Sequence, residues 1–109
     1  MTGPHRHQEQ ATRMRTVSLE NTVTLGKDTV FRELDGEAVI LDLGSGTYFG
    51  LNAVGTRIWQ LIDQHGRLAV VLDELCQEYD ADRDVLQSDL LELVGRLADA
   101  RLVEMPQPT

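Results

Sequence analysis

The side chains able to do chemistry are few, and their spacing argues against each in turn. Cys76 is the single cysteine. A thiol nucleophile needs a base beside it, yet Cys76 sits next to Leu75 and near Tyr79 at helical spacing, which reads as core packing. One cysteine also excludes an internal disulfide and any cysteine-based zinc site made within one chain. His65 precedes a helix-ending glycine and has no evident partner. Asp42 lies in a strand beside a turn, where a carboxylate bonds local backbone. Gly44, Gly46 and Gly50 miss the dinucleotide-binding spacing by one residue, and a strand follows where a phosphate loop needs a helix. His5 and His7 alternate in a polar stretch and read as incidental rather than as a metal pair. Trp59 could stack a ligand, but bracing helix against sheet is the simpler use. No catalytic residue, metal ligand or cofactor is assigned, and the chain is not expected to be an enzyme.

Composition narrows the remaining classes. The chain has 109 residues, 41% of them hydrophobic and 26% charged, enough for one domain with one modest core. No apolar run approaches the roughly 20 residues that cross a bilayer. The amino-terminal MTGPHRHQEQATRMR lacks the hydrophobic stretch of a secretory signal, so cytoplasm is the expected compartment and no membrane partner is expected. The net charge of −8 argues against nucleic acid, because phosphate binding needs a basic face. Asp73 to Glu92 holds eight acids against Arg83 alone, which suits a solvated face or a dock for a basic partner. Salt dependence separates those two uses.

The most informative stretch runs from Leu41 to Trp59 and reads as strand, turn, strand and capped helix. Residues 1–15 and 106–109 are expected to be disordered tails flanking a domain over 16–105. Val17 to Leu25 alternates weakly, as a lead-in or short strand. Thr29 to Leu34 is rich in β-branched and aromatic residues, and Asp35-Gly36 is a two-residue hairpin signal. Glu37 to Leu43 follows, with Val39, Leu41 and Leu43 on one face and Ala38, Ile40 and Asp42 on the other. Gly44-Ser45-Gly46 turns the chain into a third strand, Thr47 to Leu51. Asn52 caps a helix over Ala53 to His65, and Gly66 supplies its left-handed stop. A second helix spans Leu68 to Tyr79. A third, capped by Asp82, spans Arg83 to Ala100. Leu102 to Met105 forms a closing strand. Strands first and helices after give an α+β domain.

The third helix measures as lopsided. At 100° per residue from Leu86, Leu90 falls near about 40°, Leu93 near about 340° and Leu97 near about 20°, a core stripe. Gln87, Leu91, Val94 and Ala98 extend the apolar sector on one side only, while Asp89, Glu92 and Arg96 hold the other. Such a sector is wider than one seam needs. Either Leu91 and Val94 contact the first two helices, or they wall a groove beside the third strand. That strand's exposed edge invites an extended peptide, or strand pairing and swapping into a homodimer.

These residues resemble the PqqD-like family of peptide chaperones, also called the RiPP recognition element, over Ser18 to Glu104. The similarity rests on Phe31-Arg-Glu-Leu-Asp-Gly-Glu-Ala-Val-Ile-Leu-Asp-Leu43, Gly46-Thr-Tyr-Phe-Gly-Leu-Asn52, Gly55 with Ile58-Trp59, and Leu97-Ala-Asp-Ala-Arg-Leu-Val103. It implies a three-stranded antiparallel sheet followed by a three-helix winged helix-turn-helix domain. It also implies that the leader of a ribosomally made precursor adds as a fourth strand and is presented to a modifying enzyme. That enzyme is a radical SAM enzyme in pyrroloquinoline quinone synthesis, or a protease and cyclase in lasso-peptide pathways. Carried over by position, the leader site is Thr47, Tyr48, Phe49, Gly50 and Leu51 with Gln87, Leu91, Val94 and Ala98. Two departures stand out: Gly66-Arg67-Leu68 offers the second helix no small polar cap, and residues 1–15 have no counterpart. The other function classes are an acidic winged-helix regulator, disfavoured by an acidic third helix, and a plain dimerisation module.

Overall fold

The computed structural model describes residues 17–105. The expected tails, and with them His5 and His7, lie outside the described residues. Eight elements run in order: β1 (Thr24–Leu25), β2 (Thr29–Leu34), β3 (Glu37–Asp42), β4 (Thr47–Leu51), α1 (Ala53–His65), α2 (Leu68–Glu78), α3 (Arg83–Asp99) and β5 (Val103–Glu104). The sheet of β2, β3 and β4 is an antiparallel meander in that order. It precedes the helices, as the patterning predicts.

Local chemistry accounts for the joints. Asp35 and Gly36 both adopt positive φ, 57° and 83°, the geometry of a two-residue turn that matches the twist of the flanking strands. Asp42 organises the next turn: its Oδ1 accepts from Gly44 N–H at 3.2 Å and its Oδ2 from the Ser45 hydroxyl at 2.8 Å. Asn52 Oδ1 accepts from Gly55 N–H at 2.8 Å, satisfying one orphan donor at the start of α1. At the other end Gly66, at φ 77°, returns its N–H to the Ile62 carbonyl.

The missing polar cap on α2 is replaced from elsewhere in the chain. Arg67 offers no side-chain bond, and the lead-in supplies carbonyls instead. Leu68 N–H bonds Asn21 O at 3.0 Å and Ala69 N–H bonds Leu19 O at 2.9 Å. Those contacts fix residues 19–23 against the helix start. The next step of the lead-in pairs with the end of the chain, Thr24 opposite Glu104 and Leu25 opposite Val103. The two weak strand expectations are thus one ribbon. Asp82 departs from expectation: it occupies the cap position of α3 but its side chain caps nothing. Arg83 bonds back instead to Asp73 at 3.1 Å, tying α3 to α2.

One face of the sheet enters the core and the other does not. Ala38, Ile40 and Leu51 are buried with Ile58, Trp59 and Ile62 of α1 and Leu72 and Leu75 of α2. Phe31 of β2 stacks on Trp59, with ring centroids 6.2 Å apart, so the tryptophan does brace helix against sheet. From α3 the buried residues are Leu86, Leu90, Val94, Leu97 and Ala98. This stripe is rotated from the expected one: Val94 replaces Leu93 at its centre.

Candidate functional site

β4 is an edge strand. It pairs with β3 on one side, and no second partner is present among the described residues. In an antiparallel pair, alternate residues turn their N–H and C=O groups away from the neighbour. The free rim of β4 therefore presents a row of donors and acceptors at strand spacing. Beyond it, α3 runs past without joining the sheet, and the gap between them is a groove of about 290 Å³. Phe49, Gly50 and Leu51 line one side. Asn52, Val54, Gly55 and Ile58 form the floor, and Asp89, Glu92, Leu93 and Arg96 form the far wall.

The groove is amphipathic. Phe49, Val54 and Leu93 are half-buried and pack on the edge of the core, giving an incoming chain apolar surface that is already partly ordered. Asp89, Glu92 and Arg96 are exposed along the mouth. Arg96 crosses to the strand: its guanidinium carbon lies 5.2 Å from the Phe49 ring centroid, a cation–π contact spanning the groove. Gly50 adds no side chain, and a Cβ there would meet nothing within 4 Å. A bare strand position of this kind permits another backbone to come close.

The residues expected at the site divide. Phe49, Gly50 and Leu51 line the groove; Thr47 and Tyr48 lie on the same strand, exposed, toward its turn. The expected helix wall is not the one the fold supplies. Val94 and Ala98 are 0% and 3% exposed, belong to the core and do not line the groove. Gln87 and Leu91 are half-buried on the side of α3 away from the β4 edge and do not line it. The extra apolar flank has another use. A Cβ on Gly95, one turn from Leu91, would lie 3.9 Å from Val17 Cγ2, so the lead-in passes over that side. Asp89, Glu92 and Arg96, which line the groove instead, read in the sequence as solvated helix surface, and Leu93, which lines it too, read as part of the core stripe. The available signal was the apolar lead-in, Val17 and Leu19, which itself needed a helix flank to rest on.

The other chemistry-bearing residues lie apart. Asp42 is engaged in its turn, Cys76 is half-buried with Arg83 Nη1 at 3.7 Å from its sulfur, and His65 is exposed at the end of α1. Trp59 lines a different cavity beside Phe31. Among the described residues, the ion pair that shifts its two members' protonation equilibria is also remote from the groove. Arg57 of α1 makes a two-pronged bond to Glu78 of α2 at 2.8 and 2.7 Å. This hydrogen bond, opposed by desolvation and aided by charge attraction, holds the Glu78 carboxyl below its usual range. Among the described residues no cluster of three His, Cys, Asp or Glu could hold a metal, and no helix is long and apolar enough to cross a membrane.

Comparison with known proteins fits this architecture. The family of coenzyme PQQ synthesis protein D (PqqD) matches residues 37–103, from β3 to the start of β5. A solved structure of TbiB1 in complex with the TbiA(beta) leader peptide is 38% identical, with a TM-score of 0.71, covering 78% of this chain and 99% of that one. A lasso peptide synthetase B1 complexed with its leader peptide is 26% identical, with a TM-score of 0.68, covering 76% and 98%. A search of curated proteins found no match. With more than half of its length matched by the family and with a relative of this identity, the chain belongs to the PqqD family.

Proposed function

We propose that this chain binds the leader segment of a ribosomally synthesised precursor peptide, as a fourth strand on the free edge of β4, and presents it to a modifying enzyme. The observation that carries the reading is the unpaired β4 rim facing a part-apolar groove. It is supported by the likeness to two proteins solved with leader peptides. The chain's role is to hold and present the peptide; no residue is given a catalytic part.

The groove is needed energetically. Ordering about six residues of a flexible leader costs roughly 6–12 kcal/mol. Four or five ladder hydrogen bonds return only about 0.5–1.5 kcal/mol each. Two or three buried leader side chains, at about 1.5–3 kcal/mol each, must supply the rest. Phe49, Val54 and Leu93, half-buried in the groove, are the side chains that would receive them. Asp89 and Glu92 on the far wall favour a leader that brings a basic or donor group to the α3 side.

Co-purification and mass spectrometry would identify the precursor. Its fluorescein-labelled leader, titrated and read by polarisation, then tests the site. Trp59 is a poor reporter for this purpose, since it faces Phe31 rather than the groove. Saturable binding, lost when β4 is interrupted by Phe49→Pro, is the expected result. Undiminished binding by that variant in a folded protein overturns the reading. Light scattering with and without leader shows whether self-pairing competes for the same edge.

A further inference from the structure

The segment ahead of the described fold carries charges that complement the far wall of the groove. Residues 1–16 hold three arginines and two histidines against Glu9 alone, in a chain whose net charge is −8. Within them His5, His7 and Glu9 fall at alternate positions, so an extended backbone puts all three on one face. The far wall carries Asp89, Glu92 and Arg96, in that order along α3. Along the helix axis these stand about 4.5 and 6 Å apart, and the alternate positions of a strand stand about 6.7 Å apart. The two sets differ by about 3 Å over their whole length, within the reach of their side chains. Each pairing joins opposite charges once the imidazoles are protonated: His5 with Asp89, His7 with Glu92 and Glu9 with Arg96.

Reach and direction agree with that register. Val17, the first described residue, passes Gly95 of α3, where a Cβ would lie 3.9 Å from its Cγ2. Arg96 stands about 100° further round the helix, an arc of roughly 10 Å. Residues 10–16 span up to about 23 Å, which covers that arc. Walking back from Val17, Glu9 meets Arg96 first, His7 meets Glu92 and His5 meets Asp89, with no reversal of the chain. Residues 5–9 then lie along the free rim of β4. They bring no apolar side chain for Phe49, Val54 and Leu93, so they hold the groove weakly. A tether of this length supplies an effective concentration of about millimolar, enough for weak docking to compete.

We propose that residues 5–9 of this chain dock in the groove between β4 and α3 when His5 and His7 are protonated, closing it in mild acid and leaving it open near neutrality. Imidazole gains its charge below about pH 6.5, where carboxylates remain ionised. β4 and α1 bring no titratable side chain to the groove lining. The charges that meet the histidines are therefore Asp89, Glu92 and Arg96 of α3, with Arg6 and Glu9 beside them in the segment. Docking itself needs no leader; its consequence, exclusion of a leader in acid, rests on the leader reading above.

Two readouts on the full chain keep the two readings apart. In NMR spectra, the amide resonances of Phe49 to Leu51 and of Leu93 are expected to shift between pH 7.5 and 5.5 in the wild type. In the double variant His5→Gln, His7→Gln they are expected to stay in place. Labelled leader, read by polarisation, is expected to bind the wild type about fivefold more weakly at pH 5.5 than at 7.5, the scale of a few exposed charge pairs. That ratio is taken against the glutamine variant, which cancels any titration of the leader itself. His5→Arg with His7→Arg is expected to bring the weaker affinity to pH 7.5. Glu9→Lys is expected to relieve the closure by facing Arg96 with a like charge; tighter closure would mean attraction without register and overturns the proposal. The same pH response in the wild type and the glutamine variant also overturns it. So do shifts that grow with protein concentration, which make the host groove that of a second copy. A wild type that binds no leader at either pH overturns the leader reading, and the resonances then decide the docking alone.

Discussion

The flank of α3 carrying Gln87, Leu91 and Gly95 is the more apolar, yet the flank carrying Asp89, Glu92, Leu93 and Arg96 faces the free edge of β4. The first is covered by the chain itself, near Val17. The second stays open, with charges at its mouth and a single leucine inward. Under the proposed function, the difference follows from what each surface does when no peptide is present. A flank permanently covered gains from every methyl group it buries. A groove that is empty between encounters would expose those methyls to water and to other chains. Polar residues at its mouth keep it soluble, and a few half-buried apolar side chains hold the binding energy.

The largest expected effect breaks the comparison at its boundary. Val94→Asp puts a carboxylate where the side chain is wholly buried. An unpaired charge in the core is worth several kcal/mol, comparable with the total stability of about 5–15 kcal/mol. The variant is expected to lose its helical circular-dichroism signal and its cooperative melt. A folded Val94→Asp protein with only a leader-binding defect would return Val94 to the groove wall.

Leu93→Asp, one residue away, is expected to behave oppositely. Leu93 is half-buried and lines the groove, so the fold survives while leader affinity falls by about 30-fold, the loss of one buried apolar contact of about 2 kcal/mol. Polarisation with labelled leader reads the first and thermal melting the second. Leu91→Ser completes the contrast. It is expected to lower stability by about 1 kcal/mol, through lost packing on the covered flank, and to leave leader affinity unchanged.

Periodicity made most of the fold legible. The Asp35-Gly36 turn, the Asn52 cap and the Gly66 stop depend on neighbours within four residues, and each stands where the pattern puts it. The strand side of the groove was legible for the same reason: β4 follows from two turns and an alternation. The helix half was not. Which flank of α3 is covered depends on the path of the lead-in, which passes near Gly95 at Val17 and is held by bonds from Leu68 and Ala69 to Asn21 and Leu19 across some fifty positions. Nothing local to α3 encodes that. The apolar count pointed to the flank near Val17, because it could not tell an open surface from one that the chain's own lead-in covers. The unmade Asp82 cap has a similar origin, since its neighbour Arg83 is drawn to Asp73 of another helix.

The acids of the molecule sharpen the comparison at its smallest scale. Asp89 and Glu92 stand at the groove mouth, whereas Glu78 is held by Arg57 where α1 meets α2. The Arg57 hydrogen bond keeps the Glu78 carboxyl below its usual range, against some desolvation. A depressed carboxylate contributes stability that is present above its unfolded-state value and is lost as pH falls through the folded one. Arg57 is itself raised by the same bond and stays charged throughout. Both side chains are about one-third exposed, so solvent screening limits the pair to about 0.2–1 kcal/mol. Glu78→Gln is therefore expected to lower the melting temperature by a few degrees at most near neutral pH. The gap from wild type should close in acid, where Glu78 itself is protonated, and leader affinity should be unchanged at every pH. Glu92→Gln is expected to do the reverse, leaving the melt in place and weakening a basic leader mainly at low salt. If Glu78→Gln weakened the leader instead, the pair between α1 and α2 would be coupled to the groove, and the separation of packing acids from groove acids would fail.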